Sequence, residues 1–355
     1  MKFIAFYLPQ FHEIHENNEW WGKGFTEWDR VKKAKPLYSG HNQPRIPYKY
    51  YDLSDIKVIE GQAKIATEYG LDGFCYYHYW FKGKKLLEKP LENMLNNNKV
   101  NIPFCLSWAN ESWTRAWEGN PQELLIKQEY GTEKNWLEHL NYLIPFFQDK
   151  RYILIKGKPL FIIYRTNNFK RFDDMILFWQ RKLKSIGLKG LYIVETLNSF
   201  QKRPSCEFSD AVLEFEPMFS TGITNNRYID SLLIKLKELK KSTTYKEISY
   251  DNIWLKIIHR NKKYKNKTKF LGAFVDWDNT PRFKEKASIF QGATPEKFKK
   301  YLKMQIEKVN EDEEIIFVNA WNEWAEGAYL EPDNINGLKF LEAISDLKKQ
   351  SELNK

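Results

Sequence analysis

Ile315-Ile316-Phe317-Val318-Asn319-Ala320-Trp321-Asn322-Glu323-Trp324-Ala325-Glu326-Gly327-Ala328-Tyr329-Leu330-Glu331-Pro332-Asp333 is the stretch from which the rest of the chain is read. Its first four residues form an unbroken apolar run, the pattern of a strand buried on both faces. The composition then turns at once to Trp, Asn, Glu and Gly. Glu323 and Glu326 stand three residues apart between aromatic rings. In a helical turn their Cβ atoms would lie about 5–6 Å apart on one face; in extended chain they would lie roughly 10 Å apart. Both spacings suit two carboxyl groups flanking a glycosidic bond, where gaps of about 5 Å to about 9 Å are used. Ring faces match the C–H faces of a sugar, and Asn amides match its hydroxyls. The plainer alternative is a strand end with Trp in the core and Glu in solvent.

Working outward, seven earlier apolar runs read as strands: Lys2–Leu8, Gly73–Tyr77, Ile102–Trp108, Leu160–Tyr164, Leu191–Val194, Asp210–Phe215 and Phe270–Val275. Between them lie helix-length amphipathic segments. Ser54–Tyr69 has Ser54 as a candidate N-cap and Gly70 as its stop. Leu86–Asn97, Glu133–Phe147, Phe172–Ile186, Pro295–Val309 after Thr294, and Leu338–Lys349 follow. Eight strands alternating with helices predict parallel βα units. Eight units favour a closed barrel over an open sheet. The expected fold is α/β: a single (β/α)8 TIM-type barrel over residues 1–350, with long βα loops. A basic insertion, residues 215–269, is read as an excursion between strands six and seven, not a separate domain.

The chain has 355 residues, 42% hydrophobic and 16% aromatic, enough for one large core. The formal charge of +10 is uneven, because residues 231–269 hold twelve Lys/Arg against three Asp/Glu. Charge held in one segment argues against a general nucleic-acid binder, which spreads it over a face. The segment is a candidate for peripheral contact with anionic membrane, and a solvated lysine-rich surface is the alternative. Within it, Ile229–Lys241 carries a helical apolar stripe, and Lys262–Lys269 is expected to be mobile. Three cysteines, Cys75, Cys105 and Cys206, cannot all pair within the chain, and their spacing is not that of metal ligands. The N-terminal apolar run is too short for a signal peptide, and no stretch reaches the roughly 20 apolar residues that span a bilayer. The expectation is a soluble, cytoplasmic protein.

In barrel enzymes the active site lies at the C-terminal ends of the strands, and unusual clusters fall there repeatedly. They comprise Tyr7, Gln10, Trp21 and Trp28 around strand one, and Tyr77, His78 and Trp80 at strand two. Trp108, Asn110, Glu111 and Trp113 follow at strand three, Trp277, Asn279 and Arg282 at strand seven, and Trp321 and Asn322 at strand eight. These are the candidate substrate-binding residues, and each ring has a core role as its alternative. Glu111 is a rival acid, with an ion pair to Arg115 as the competing reading. His78 is read either as a hydrogen-bond partner for a sugar hydroxyl or as a satisfied core histidine. Asp276-Trp277-Asp278 is an Asp-x-Asp of the kind that holds a metal and diphosphate in sugar-nucleotide transferases, but the tripeptide is common. No phosphate-binding Gly-rich loop and no nucleophile elbow occurs. No metal and no cofactor are implied.

Seven motifs in order resemble the WbsX-type family, also described as glycoside hydrolase family 99-like. They are Phe6–His12, Trp20–Trp28, Lys35-Pro36-Leu37, Asp72–Phe81, Trp108–Trp113, Trp277–Arg282 and Trp321–Asp333. Such proteins are encoded in bacterial surface-polysaccharide clusters and are commonly described as glycosyltransferases. Their structural relatives, the endo-α-mannosidases of family 99, are (β/α)8 barrels. The resemblance aligns Asn322-Glu323-Trp324-Ala325-Glu326-Gly327 with an Asn-Glu-x-x-Glu-Gly segment. It implies Glu323 as the base, acting through the sugar's own 2-hydroxyl, and Glu326 as the general acid/base, with net retention. That chemistry needs one acid protonated and one ionised. The implied partner is an oligosaccharide or polysaccharide, with a lipid-linked precursor among the candidates. A nucleotide-sugar-dependent glycosyltransferase of O-antigen or capsule biosynthesis and a non-catalytic glycan-binding barrel are the alternatives.

Overall fold

Each of the eight apolar runs is a strand. The computed structural model describes residues 1–115, 120–222, 245–309 and 314–353. The strands are β1 (Lys2–Tyr7), β2 (Gly73–Phe81), β3 (Phe104–Trp108), β4 (Lys158–Ile163), β5 (Tyr192–Leu197), β6 (Ala211–Glu214), β7 (Thr268–Phe274) and β8 (Ile315–Asn319). Every strand pairs in parallel with the next. The ring closes because Ala5 of β1 is opposite Phe74 of β2 on one side and Val318 of β8 on the other. The outer layer contains α1 (Ile56–Glu68), α2 (Lys89–Leu95), α3 (Glu133–Phe147), α4 (Phe172–Ser185), α5 (Tyr250–His259), α6 (Pro295–Ile306) and α7 (Lys339–Leu353). The (β/α)8 barrel expected from the sequence is the fold.

Strand alternation sets which side chains can reach a ligand. Successive residues point to opposite faces. Phe6 faces inward, where its ring packs on Tyr77, Phe215 and Phe317 at 5.3, 5.1 and 5.9 Å between centroids. Tyr7 therefore faces the helices, and its hydroxyl donates to Gln62 of α1 at 2.6 Å. The same parity along β2 sends Tyr77 and Tyr79 inward and His78 and Trp80 outward. Close approach matters between β6 and β7. A Cβ on Gly272 would meet the Glu214 carbonyl oxygen at 2.0 Å, so any larger residue there would push the two strands apart.

Several local features differ from the sequence reading. The α1 cap is Asp55, whose side chain accepts from Lys57 N, not Ser54; a residue nearer the first turn reaches the free N–H groups better. Leu86 is not helical: Lys84–Leu86 pairs antiparallel with the extended end of β2, and α2 begins only before Pro90. Cys75 and Cys105 are buried free thiols opposite each other on β2 and β3. The Ile229–Lys241 stripe lies outside the described residues. Lys262–Lys269 is anchored rather than loose. Tyr264 is buried and donates to Glu214 at 2.8 Å, and Lys267 Nζ donates to the Cys206 and Ser209 carbonyls at 2.8 Å. Lysine density alone gave no sign of those partners.

Candidate active site

A cleft of about 670 Å³ opens at the C-terminal end of the barrel. Glu323 and Glu326 stand in its wall, just past β8. Glu323 ends a two-residue strand, Asn322–Glu323, and Glu326 ends the 3-10 turn Trp324–Glu326. Gly327 follows in the left-handed region at φ +67, where its missing Cβ leaves room for Asp278 N and the Arg45 guanidinium. Asn322 does not face the cleft. Its amide bonds Leu8 N and Leu8 O at 2.7 and 3.0 Å, joining the ends of β8 and β1.

Arg282 holds the two acids together. Its Nη1 donates to Glu326, and its Nη2 lies 3.4 Å from Glu323 Oε2. A third carboxylate, Glu27, accepts from Arg282 Nε at 2.9 Å and pairs with Nη2 at 2.8 Å. Glu27 is the first residue of the helix Glu27–Lys33. The helix N-terminus favours its negative charge. Nothing in the sequence around Glu27 marks it for a place beside Arg282. Three buried carboxyls around one guanidinium are too many negative charges for a dry site. Burial, then the Glu326 carboxylate, push Glu323 up to about 8; burial also raises Glu326, against the pull of Arg282. The pair therefore holds a proton at neutral pH. Arg282 lies closer to Glu326 than to Glu323.

A brace from the long first loop fixes these groups. Arg45 pairs with Asp276 at 2.7 Å and reaches Gly327 O at 3.3 Å. His41 Nε2 and Gln43 Nε2 meet Asp278 Oδ2 at 2.8 and 2.7 Å. Since His41 Nδ1 accepts from Leu37 N, its Nε2 carries the hydrogen. Thr280 N and Oγ1 occupy the other Asp278 oxygen. Burial would raise Asp278, but His41, Arg45, Thr280 and Gln43 hold it down to about 2. Both oxygens of the Asp-x-Asp acid are thus committed to protein partners. Among the described residues no cluster of His, Cys, Asp or Glu is arranged to hold a metal ion.

Of the candidate residues, Gln10, Trp21, Tyr77, Glu111, Trp113, Trp277, Asn279 and Arg282 line the cleft with the two acids. Glu111 pairs with Arg165 at 2.5 Å rather than with Arg115, and burial raises it. Tyr79, Tyr164, Phe25 and Phe200 are further lining residues; parity along β2 was the available signal for Tyr79. The other candidates lie elsewhere. Tyr7 bonds α1, as described. Trp28 packs on Phe11, Tyr51 and Trp324. His78 meets His139 of α3 at 2.8 Å, and Trp80 stacks on the same imidazole. Burial pushes the His78 ring down to about 3, so it is neutral. Trp108 packs on Trp179 of α4, Trp321 packs on Phe74, and the Asn110 amide bridges Arg165 and Tyr130.

Two expected results follow from this sorting. Trp108→Ala should cost about 3–5 kcal/mol of stability by chemical denaturation, as loss of a large core ring does. Trp21→Ala, at a half-buried rim position, should leave the unfolding midpoint within experimental scatter. Equal losses of stability would remove the distinction between core and cleft rings. Stability should also fall as pH rises from about 5 to about 8. A carboxyl raised in the folded state keeps its proton there after the unfolded chain has lost it, so rising pH favours unfolding. Glu323 at about 8 and Glu331 at about 7 both act in this window. Urea midpoints at the two pH values should converge in Glu323→Gln; an unchanged difference would show that Glu323 is not the group responsible.

The fold and cleft define a class: a (β/α)8 barrel with paired acids after its last strand. The chain belongs to the WbsX glycosyltransferase family, whose model matches residues 3–344. It is 33% identical over 348 residues to the uncharacterized protein WxcX of two Xanthomonas campestris pv. campestris strains, ATCC 33913 and B100. The match covers 96% of this chain and 48% of WxcX, so the chain spans about half the length of these curated relatives. Among solved structures, a glycoside hydrolase-like protein aligns with TM-score 0.63 at 11% identity, over 98% of this chain and 93% of its own. The family 99 endo-α-mannosidase of Bacteroides thetaiotaomicron aligns with TM-score 0.55 at 13% identity, over 99% and 97%. At these identities the likeness establishes the fold. No helix among the described residues is long and apolar enough to cross a membrane.

Proposed function

We propose that the chain is a retaining carbohydrate-active enzyme. Its substrate is an α-glycosidic, mannosyl-like bond of a bacterial surface polysaccharide or its precursor. The observation that carries this reading is the shared grip of Arg282 on Glu323 and Glu326 in the cleft wall. One shared proton between two buried acids supplies one acid and one base at neutral pH. In the reaction the base removes a proton from the sugar's 2-hydroxyl, and that oxygen displaces the leaving group, which takes its proton from the acid. A water or an acceptor hydroxyl then opens the 1,2-anhydro sugar, with the acid residue now taking the nucleophile's proton and the first base returning its proton to the 2-oxygen. The aromatic walls, Tyr77, Trp113 and Trp277 among them, position the rings of the glycan by stacking. The endo-α-mannosidase likeness supports the mannosyl class, and the same two acids serve hydrolysis or transfer according to whether water reaches the anomeric carbon.

The family's own description favours a second reading, a glycosyltransferase that uses a nucleotide sugar. Incubation with α-mannosyl oligosaccharides and with a surface-glycan precursor, with and without mixed nucleotide sugars, separates the two by mass spectrometry. Shortened or rearranged glycans without nucleotide are the expected result. Growth of a glycan only in the presence of nucleotide sugar would replace the first reading with the second.

A further inference from the structure

The end of the barrel away from the cleft carries a second concave feature. A cavity of about 610 Å³ lies where β5, β6 and β7 begin, and another of about 470 Å³ lies beside the C-terminal end of α5. Asn261, Lys263 and Lys269 line both, so the two adjoin. Lys156, Lys262 and Lys267 line the first, and Arg260 and Lys308 the second, whereas among the described residues Asp210 is the single acid in either wall.

Some of this charge is already balanced. Arg260 pairs with Glu214 and Glu216, Lys267 lies 3.6 Å from Glu195, and Asp210 pairs with Lys158. Lys156, Lys262, Lys263 and Lys308 form no ion pair among the described residues. Lys308 Nζ donates to the Ile258 carbonyl at 2.9 Å and Lys262 Nζ to the Lys202 carbonyl at 3.4 Å, bonds that leave their charges in place. Burial, and the nearby Arg203 and Arg260 cations, pull the Lys262 ammonium below its usual value despite Glu214. Cations gathered in a concavity with low-dielectric walls focus a positive potential on whatever occupies it. The flanking Tyr192, Ser209, Asn261, Asn266 and Thr268 add hydrogen-bonding groups.

We propose that these adjoining cavities on the N-terminal face of the barrel bind a phosphate-class anion, a monophosphate or diphosphate group, free or on a lipid headgroup. Ammonium groups meeting phosphate oxygens make charge-assisted hydrogen bonds, stronger than neutral ones. Two adjoining lobes that share Lys263 suit two linked phosphates. The site is separate from the cleft, and it stands whether or not the proposed glycan chemistry does.

The test uses the whole chain and a Lys156→Glu/Lys263→Glu double variant. Both lysines are exposed, and exposed substitutions seldom disturb folding; a matching unfolding midpoint confirms it. One arm titrates inorganic pyrophosphate by calorimetry. The other sediments the protein with phosphatidylglycerol or phosphatidylcholine vesicles at low and high salt. Saturable pyrophosphate binding, weakened about tenfold or more in the double variant, supports the site and assigns a free anion if vesicles are ignored. Salt-sensitive binding to phosphatidylglycerol alone, lost in the variant and competed by pyrophosphate, supports it and assigns the headgroup. Absence of binding in both arms, or binding that the double variant retains at full strength, overturns the proposal.

Discussion

Glu326→Gln and Glu323→Gln should each lower turnover of an α-linked glycan by about 10²–10⁴-fold, the range for losing a positioned acid or base. Folding should survive, because an amide oxygen can still accept from Arg282. The two variants should part company on an aryl glycoside whose phenol leaves without protonation. The variant lacking the general acid recovers the first step on that substrate, whereas the variant lacking the base does not. Burial and the Glu326 carboxylate raise Glu323, which suits an acid, while the family resemblance makes it the base. The leaving-group experiment decides between these assignments. Wild-type rates in both variants would remove the pair from the chemistry altogether.

Arg282→Met should be among the most destabilising single changes in the cleft. It leaves Glu27, Glu323 and Glu326 buried without their shared cation, and breaking a buried pair in this way costs about 3–5 kcal/mol. The loss should grow with pH. Near pH 5 the acids can take up protons and relieve the uncompensated charge, whereas near pH 8 the unfolded chain holds them ionised in water at no such cost. Denaturant midpoints for wild type and variant should therefore diverge between pH 5 and pH 8. A constant difference would mean that packing, not charge, is what Arg282 contributes. Glu27→Gln should restore part of the stability in the Arg282→Met background, since it removes one of the stranded charges.

The barrel was legible because its signal is long-wavelength. Apolar runs such as Ile315–Val318 and Phe104–Leu106 recur with helical stripes between them, and burial on both faces makes each run continuous. The same continuity hid the direction of individual side chains. Within Tyr76-Tyr77-His78-Tyr79-Trp80 every residue is aromatic or imidazole and every one is buried, so composition gives no inside or outside. Pairing with β1 fixes the parity, and it sends Tyr77 and Tyr79 to the cleft but His78 and Trp80 to α3. The acids Glu323 and Glu326 stood out because carboxylates amid rings are rare. Glu27 did not, because its partner lies 255 residues away and nothing local marks an acid at a helix start as special. His41, Gln43 and Arg45 stand in a long loop whose length itself suggests a function, but their partners Asp276, Asp278 and Gly327 lie too far along the chain to be read locally.

The seam between β1 and β8 also bears on how the protein is made. Asn322 bonds Leu8 across 314 positions of sequence, and the acids it adjoins are completed by Arg282 and Glu27. Contacts so distant in sequence form late, because the intervening chain must first be ordered. Until residues 315–330 emerge from the ribosome, β1 and β7 each present an unpaired edge, the feature that makes partly built sheets prone to aggregation. Closing the ring covers both edges, and the residues that follow the closing strand carry the acids that meet Arg282. A nascent or truncated chain lacking that last strand is therefore at once without its carboxyl pair and in need of protection from its neighbours.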